Sequence, residues 1–176
     1  GRWMHVAGVF DGRAAAYFVD GKLIHQSTGF SEHEPANLQG AWLGGLPDIG
    51  MWRGRLRAVR VSQSVRYSAD FTPPQQFTDD DQTLALYLMD EGQGTTLNDR
   101  SGNEHHGTIV QAEWVIDRSG GPVTTPASDP ESSDRPSPQE SSPALPPADD
   151  YALQFDGDDI VVSPFEFDFA QPFTFE

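Results

Sequence analysis

The sequence predicts an all-β protein, an antiparallel β-sandwich of the jelly-roll type. Three observations indicate this class. Short runs rich in β-branched and aromatic residues are separated by Gly/Pro turns, two of these turns are Asp-Gly pairs, and no stretch shows the apolar spacing of an ordinary amphipathic helix. The chain has 176 residues with 17 Gly and 14 Pro, so turn-forming residues are plentiful.

The first three strands are expected in residues 3–10, 14–19 and 22–27. Asp11-Gly12 separates the first two runs, and Asp20-Gly21 separates the second from the third. A two-residue Asp-Gly loop accepts the positive φ angles of a tight hairpin turn. The pattern therefore predicts an antiparallel meander.

Further strands are expected after a polar, Pro-containing loop. Residues 41–45 predict a short strand, and residues 46–50 a Gly/Pro loop. Residues 53–63, RGRLRAVRVSQ, predict a single strand with one apolar and one basic face. The apolar runs 84–89 and 107–115 predict two more strands.

A linker is expected in residues 119–149, which read SGGPVTTPASDPESSDRPSPQESSPALPPAD. This composition of Pro, Ser and acidic residues buries too little apolar surface to offset chain entropy, so we expect disorder. Residues 150–176 return to a strand pattern, in which Phe165, Phe167 and Phe169 alternate with acidic residues.

The composition excludes several classes of function. The chain has no cysteine, which rules out a disulfide scaffold, a Cys-ligated zinc site and a thiol nucleophile. With 11 Lys+Arg against 27 Asp+Glu the net charge is −16, which argues against nucleic acid as a partner. No apolar run reaches the ~18–20 residues of a membrane-spanning helix.

Four blocks of the sequence resemble the laminin G-like domains of the concanavalin A-like lectin/glucanase superfamily, as found in large bacterial multidomain proteins. The blocks are WMHVAGVFDGRAAAYFVDGKL (3–23), GRLRAVRV (54–61), LALYLMDEGQGTTLNDRSGNEHHGTI (84–109) and ALQFDGDDIVVSPFEFDFAQPFTFE (152–176). The last block resembles the opening strands of the family, although it follows the other three.

This order implies a fragment that spans two tandem repeats. Residues 1–118 would be the late strands of one laminin G-like repeat, and 150–176 the opening strands of the next. Two alternatives stay open: residues 150–176 complete the same sandwich in permuted order, or they belong to another repeat. The 31 linker residues would allow the first, because they could reach ~100 Å at ~3.3 Å each.

The resemblance includes glycoside hydrolases of the laminarinase type, which carry alternating carboxylates on one strand. Glu166 and Asp168 stand at such positions, but Gln171 stands where the last carboxylate would be needed. A retaining mechanism needs two carboxyl groups ~5–5.5 Å apart. We therefore expect no catalysis, with a degenerate glycoside hydrolase as the least favoured alternative.

Relatives in this family often bind calcium at the rim of the sandwich, through Asp side chains and carbonyl groups. Asp156, Asp158 and Asp159 lie in a Gly-containing turn and are the candidate ligands. Arg57 and Ala58 stand where the family commonly has Asp-Glu, which argues against a cation near that strand. Calcium is thus an open expectation, and no cofactor is required.

Exposed aromatic and charged side chains are the candidates for ligand binding. Trp42 and Trp52 flank the 46–51 loop, and Arg53 and Arg55 follow it. Tryptophan rings stack on sugars, and a row of arginines that continues to Arg57 and Arg60 suits an acidic ligand. The alternative for this row is a solvated strand face.

These patterns together predict a non-catalytic binding or adhesion module. The expected partner is a carbohydrate or a protein, and the neighbouring domains of a longer chain are further partners. The resemblance implies a secreted or cell-surface location. The rival hypothesis is a structural spacer without a ligand of its own.

Overall fold

The computed structural model describes residues 2–29, 39–46, 50–117, 151–166 and 171–176. Every regular element within these ranges is a β-strand, and none of these residues is helical. The predicted fold class, an antiparallel all-β sandwich, is confirmed. The predicted linker, residues 119–149, lies outside the described residues.

The strands are, in chain order, β1 (Val6–Phe10), β2 (Ala14–Val19), β3 (Lys22–Thr28), β4 (Gln39–Leu43), β5 (Gly45–Leu46), β6 (Gly50–Met51), β7 (Gly54–Leu56), β8 (Val59–Ser62), β9 (Thr83–Tyr87), β10 (Thr96–Leu97), β11 (Gly107–Val110), β12 (Glu113–Ile116), β13 (Tyr151–Phe155), β14 (Ile160–Glu166) and β15 (Phe173–Phe175). They form sheets of six, four, three and two strands. The orders are β3-β2-β1-β15-β8-β9, β10-β11-β14-β4, β12-β13-β7 and β5-β6.

The predicted meander at residues 6–28 is present, and its turns have the expected chemistry. Asp20 and Gly21 both have positive φ, 49° and 74°, and β2 and β3 pair on either side of them. Positive φ at both central residues is the geometry of a type I′ hairpin turn. In the other turn, the Asp11 carboxylate accepts hydrogen bonds from the backbone N–H groups of Arg13 and Ala14.

The main core is built by the six-, four- and three-stranded sheets together. Its buried side chains are Leu43, Val59, Val61, Ala85, Tyr87, Met89, Leu97, Ile109, Leu153, Phe155 and Val161. A second cluster lies on β1 and β2, where Ala7, Val9 and Phe18 pack against Tyr67 and Phe71. The last two rings are stacked with their centroids 3.5 Å apart.

Two predicted strands are each divided in the structure. The predicted strand of residues 53–63 contains β7 in the three-stranded sheet and β8 in the six-stranded sheet, with the change at Arg57 and Ala58. Residues 107–115 form β11 and part of β12, which also lie in different sheets. Gln111 makes the second break possible with its φ of 69°. The prediction of one continuous strand was therefore wrong for each of these two segments.

The segment of residues 151–176 contributes a strand to each of the three larger sheets. β13 lies between β12 and β7, β14 between β11 and β4, and β15 between β1 and β8. All of these pairings are antiparallel. We call residues 151–176 the closing segment. None of the described residues belongs to a helix that is long and apolar enough to cross a membrane.

Candidate functional site

Three predicted site residues lie in the turn between β13 and β14. Asp156 and Asp158 are exposed, whereas Asp159 is buried. Asp159 closes the turn, because its Oδ2 accepts a 2.5 Å hydrogen bond from the Asp156 backbone N–H. One carboxylate oxygen from each residue lies within 4.8 Å of the others. The structure thus brings all three predicted carboxylates together.

The crowding of negative charge changes the acidity of this turn. The pKa of Asp156 is raised to about 6, first by the hydrogen bond it shares with Asp158 and then by the charges of Asp159 and Asp158. A neutral carboxyl can donate that hydrogen bond, whereas two carboxylates repel each other. Above pH 6 the turn therefore concentrates negative charge that a cation or a hydrogen-bond donor would relieve.

Trp52 lies beside this turn, in the connection between β6 and β7. Its ring packs on Phe155, with centroids 5.7 Å apart. It also covers Gly54, where an added Cβ would lie 2.6 Å from the ring atom Cζ2. Although held from two sides, Trp52 remains 41% exposed. It is therefore an immobilised aromatic surface that faces solvent.

Arg53 borders the same surface, whereas Arg55, which follows Gly54 in β7, projects from the other face of the three-stranded sheet. The Arg53 guanidinium lies against the backbone of Gly157, where an added Cβ would lie 2.5 Å from Arg53 Nε. Arg55 is opposite Gln154 in the β7–β13 pair, and its Nε donates a 3.3 Å hydrogen bond to Gln154 Oε1. The guanidinium that reaches the acidic turn is thus that of Arg53. We call Trp52, Arg53 and the turn Asp156–Asp159 the Trp52 surface.

Trp42 occupies a different position from Trp52. It lies on β4 opposite Val162 of β14. Because its neighbour Leu43 points into the core, the Trp42 side chain projects from the other face of the four-stranded sheet. It is half-buried there. The structure therefore assigns Trp42 to the outward sheet face rather than to the acidic turn.

The predicted basic row of arginines is not a single face. Arg53 and Arg55 are exposed and Arg57 is half-buried, but Arg60 is buried in β8. The guanidinium of Arg60 donates two hydrogen bonds to Glu176 Oε1, at 2.7 and 2.5 Å. The expectation of Arg60 on a basic surface was wrong, because its charge is neutralised inside the sandwich.

Sequence reasoning missed the polar cluster around Glu176. The Glu176 side chain is fully buried, and its Oε2 accepts a 2.6 Å hydrogen bond from Tyr67 Oη and contacts His5 Nε2 at 3.2 Å. His5, Arg60 and Glu176 come from three of the blocks that carry the family resemblance, so polar residues inside strand-like blocks were the available signal.

The partners of Glu176 offset the effect of burial on its ionisation. Burial by itself would raise the pKa of Glu176, but hydrogen bonds and the Arg60 charge outweigh it and hold that pKa below its ordinary value. Burial and the hydrogen bond to Glu176 raise the pKa of Tyr67 to about 12. Glu176 is therefore a carboxylate and Tyr67 a phenol at neutral pH, which suits a structural bond between strands.

A polar groove of about 560 Å³ lies near the end of β9. Its lining residues are Gln63, Asp79, Asp80, Asp81, Thr83, Leu84, Ser101, Asn103 and His105. Asp80 is already engaged there by the Arg66 guanidinium, which donates hydrogen bonds to both carboxylate oxygens. None of these lining residues is Trp, Tyr or Phe.

The residues weighed for glycoside hydrolysis are only partly described. Glu166 is the last residue of β14. Asp168 lies outside the described residues. Gln171 is exposed. The expectation that the chain is not an enzyme is therefore untested by the geometry.

Residues 1–71 match the family model described as the concanavalin A-like lectin/glucanases superfamily, of the laminin G type. The resemblance predicted from the motifs is thus confirmed over these residues. No curated protein and no solved structure matches the chain.

Proposed function

We propose that this chain, laminin G-like over residues 1–71, is a binding module that recognises a carbohydrate through the Trp52 surface. The family indicates ligand binding in general and is commonly extracellular. Its laminin G-like domains are typically non-catalytic, although the superfamily also includes glycosidases. One observation carries the finer proposal, namely the convergence of an exposed Trp, an exposed Arg and a carboxylate turn.

The chemistry of these groups suits a sugar. A pyranose ring has an apolar face that can stack on an aromatic ring, and hydroxyl groups that need donors and acceptors. Trp52 supplies the apolar face, and the guanidinium of Arg53 supplies donors. The carboxylates of Asp156 and Asp158 are acceptors.

The packing of the Trp52 side chain favours carbohydrate binding. Trp52 is fixed between Phe155 and the backbone of Gly54 before any ligand arrives. A side chain that is already ordered loses little entropy on binding, and this raises the affinity available from a small contact.

Calcium is a second component of the proposal. Asp156, Asp158 and Asp159 offer only oxygen atoms, within 4.8 Å of one another, which is the donor set that a hard cation prefers. When bound, the ion would coordinate sugar hydroxyl groups as a Lewis acid. Without it, the carboxylates accept hydrogen bonds from the ligand directly.

The test is a glycan array that holds neutral and uronic acid-containing oligosaccharides, probed in calcium and in EDTA. We expect saturable binding that Trp52→Ala weakens at least about tenfold, since buried Trp contacts dominate interface energies. Tyr17→Ala is the matched control, because Tyr17 is an aromatic residue of equal exposure (42%) on β2.

Three outcomes decide between the hypotheses. Binding that requires Trp52 but not Tyr17 supports the proposal, and its loss in EDTA supports the calcium component. An array without any bound glycan would favour the spacer. Cleavage of an oligosaccharide during incubation would favour a glycoside hydrolase.

A secreted or cell-surface bacterial protein with several domains is the context that we propose for this module. In such a protein, residues 1–118 and 150–176 derive from consecutive repeats joined by the linker 119–149. Mass-spectrometric mapping of the parent protein in culture medium and cell fractions tests the location.

A further inference from the structure

The closing segment, residues 151–176, occupies internal positions in three sheets. Each of its strands has a neighbour on both sides, and all of these neighbours come from residues 2–117. Removing the segment would leave six strands with unpaired backbone groups along one edge. Residues 2–117 therefore leave three positions between strands for the closing segment to fill. We call residues 2–117 the receptor.

The segment also fills the core of this receptor. Leu153, Phe155 and Val161 are members of the main core cluster, each at most 2% exposed. Ala152 and Tyr151 are buried next to them. The segment is thus recognised through its buried apolar side chains as well as through backbone hydrogen bonds.

Polar contacts make this recognition specific. Glu176 meets Arg60, Tyr67 and His5 inside the receptor. Thr174, fully buried, accepts a 2.9 Å hydrogen bond from the backbone N–H of Arg66. It donates one of 2.7 Å to the carbonyl oxygen of Ser64. A slipped register would leave these groups without partners.

The covalent connection leaves open which copy of the chain supplies the segment. β12 and β13 are antiparallel neighbours with Ile116 opposite Tyr151, so a two-residue turn would be enough to join them. The sequence instead places residues 117–150 between these two positions. A connection of that length is long enough to reach a neighbouring receptor as well as its own.

We propose that the closing segment is exchanged between copies of this chain, so that residues 151–176 of one copy complete the sandwich of a second copy. Every contact described above forms identically within one chain and between two chains. Within a single chain the segment has an effective concentration in the millimolar range, which favours self-insertion in dilute solution. Exchange is favoured where copies are held close together.

The first experiment uses a receiver chain that cannot use its own segment. Leu153→Asp puts a charge into the core position of the segment and leaves the receptor residues 2–117 unchanged. The probe is a synthetic peptide of residues 151–176 with a fluorophore at Gln171→Cys, which is an exposed position. We expect saturable binding and the return of a cooperative thermal transition.

A peptide that carries Glu176→Gln is the matched control, and we expect it to bind at least about tenfold more weakly. Equal binding of both peptides, or of a scrambled peptide, would overturn the proposal. So would a receiver that remains folded and monomeric but does not bind the peptide.

The second experiment uses the wild-type closing segment. It tests the proposal even if the Leu153→Asp chain fails to fold. Two samples of the full chain, labelled at Arg13→Cys and at Gln171→Cys, are unfolded and refolded together. Because the natural chain has no cysteine, each label has one site. β1 and β15 pair at Phe10 and Phe173, so both labels lie near this pair. Energy transfer between chains that rises with protein concentration supports exchange.

A chain in which Asn-Gly replaces residues 117–150 is the control, since the tight turn favours insertion within one chain. Transfer that persists in this variant would show association by another route and overturn the proposal. Refolded wild-type chains without transfer, monomeric by native mass spectrometry up to millimolar concentration, would also overturn it. Neither experiment contains a glycan, so the proposed carbohydrate binding can fail or succeed independently.

Discussion

The Glu176→Gln variant tests whether the buried cluster holds the sandwich together. Glutamine keeps the size of the side chain and creates no cavity, so the change isolates the negative charge. In the wild type, this charge is shared by Arg60, Tyr67 and His5 at distances of 2.5 to 3.2 Å. Arg60 is only 7% exposed, and water cannot replace the lost carboxylate.

The expected cost follows from this geometry. Removing one partner of a buried ion pair costs about 3–5 kcal/mol, because the other charge stays buried without compensation. The Gln amide oxygen can still accept a hydrogen bond from Arg60, which places the estimate near the lower end, about 3 kcal/mol. At about 2–4 °C per kcal/mol for a chain of this size, the midpoint should fall by about 10 °C.

Thermal and urea unfolding followed by circular dichroism measure this loss. The matched control is Asp90→Asn, which removes a carboxylate that is 2.7 Å from Arg100 in a partly exposed pair. Such pairs contribute about 0–1 kcal/mol. Equal losses in the two variants would refute the reasoning that burial makes the Glu176 charge important.

The pH dependence gives a second check of the same variant. The pKa of Glu176 is lower in the folded than in the unfolded chain, so its stabilisation is complete above its ordinary value of 4.5. It is lost as the pH falls through the folded pKa. The stability difference between wild type and Glu176→Gln should therefore be constant near neutral pH and shrink in acid.

Two further predictions concern turns. Asp158→Asn should bring the pKa of Asp156 from about 6 back toward 3.8, because it removes the charge and the shared hydrogen bond that raise it. NMR titration of the Asp156 carboxyl carbon measures this pKa. An unchanged value would contradict the assigned cause. Gly21→Ala should destabilise far more than Gly12→Ala, although both glycines have positive φ and each pays about 1–2 kcal/mol for it. A Cβ at Gly21 would lie 2.0 Å from the carbonyl oxygen of Phe71, whereas one at Gly12 meets nothing within 4 Å. Urea unfolding of the two variants measures the difference, and similar losses would show that the clash is relieved without cost.

Local features of this fold could be predicted from the sequence because they depend on neighbouring residues. The bounds of β2, Ala14–Val19, agree with the predicted strand. Asp20-Gly21 predicts its turn through the positive φ that both residues tolerate. The carboxylates of the turn Asp156–Asp159 converge because they are close in sequence.

Features that depend on distant parts of the chain could not be predicted. Arg60 has the sequence context of a solvated strand face, and only its pairing with Glu176, 116 positions later, buries it. The change of sheet at Arg57 and Ala58 depends on β7 pairing with β13 and β8 pairing with β15. Apolar alternation cannot show this, because both halves of the run alternate correctly for their own sheets.

Trp52 gives the clearest example of a site that depends on a distant contact. Its sequence neighbours indicate an exposed loop, but its rigidity comes from Phe155 in the closing segment. Arg53 likewise lies on Gly157, and both exposed carboxylates come from the same turn of that segment. The proposed ligand surface is therefore built from both sides of the junction between residues 2–117 and the closing segment.

This arrangement couples the two proposals without making one depend on the other. A ligand that binds the Trp52 surface binds only the state in which the closing segment is inserted. It therefore stabilises insertion by RT ln(1 + [L]/Kd), about 2.7 kcal/mol at a ligand concentration of 100 Kd. Linkage requires the reverse as well: a variant that weakens insertion also weakens ligand binding. Glu176→Gln should therefore lower the apparent ligand affinity in proportion to the inserted fraction, although Glu176 is not part of the Trp52 surface. An affinity that stays constant while the inserted fraction falls would show that the ligand is held by residues 2–117 alone.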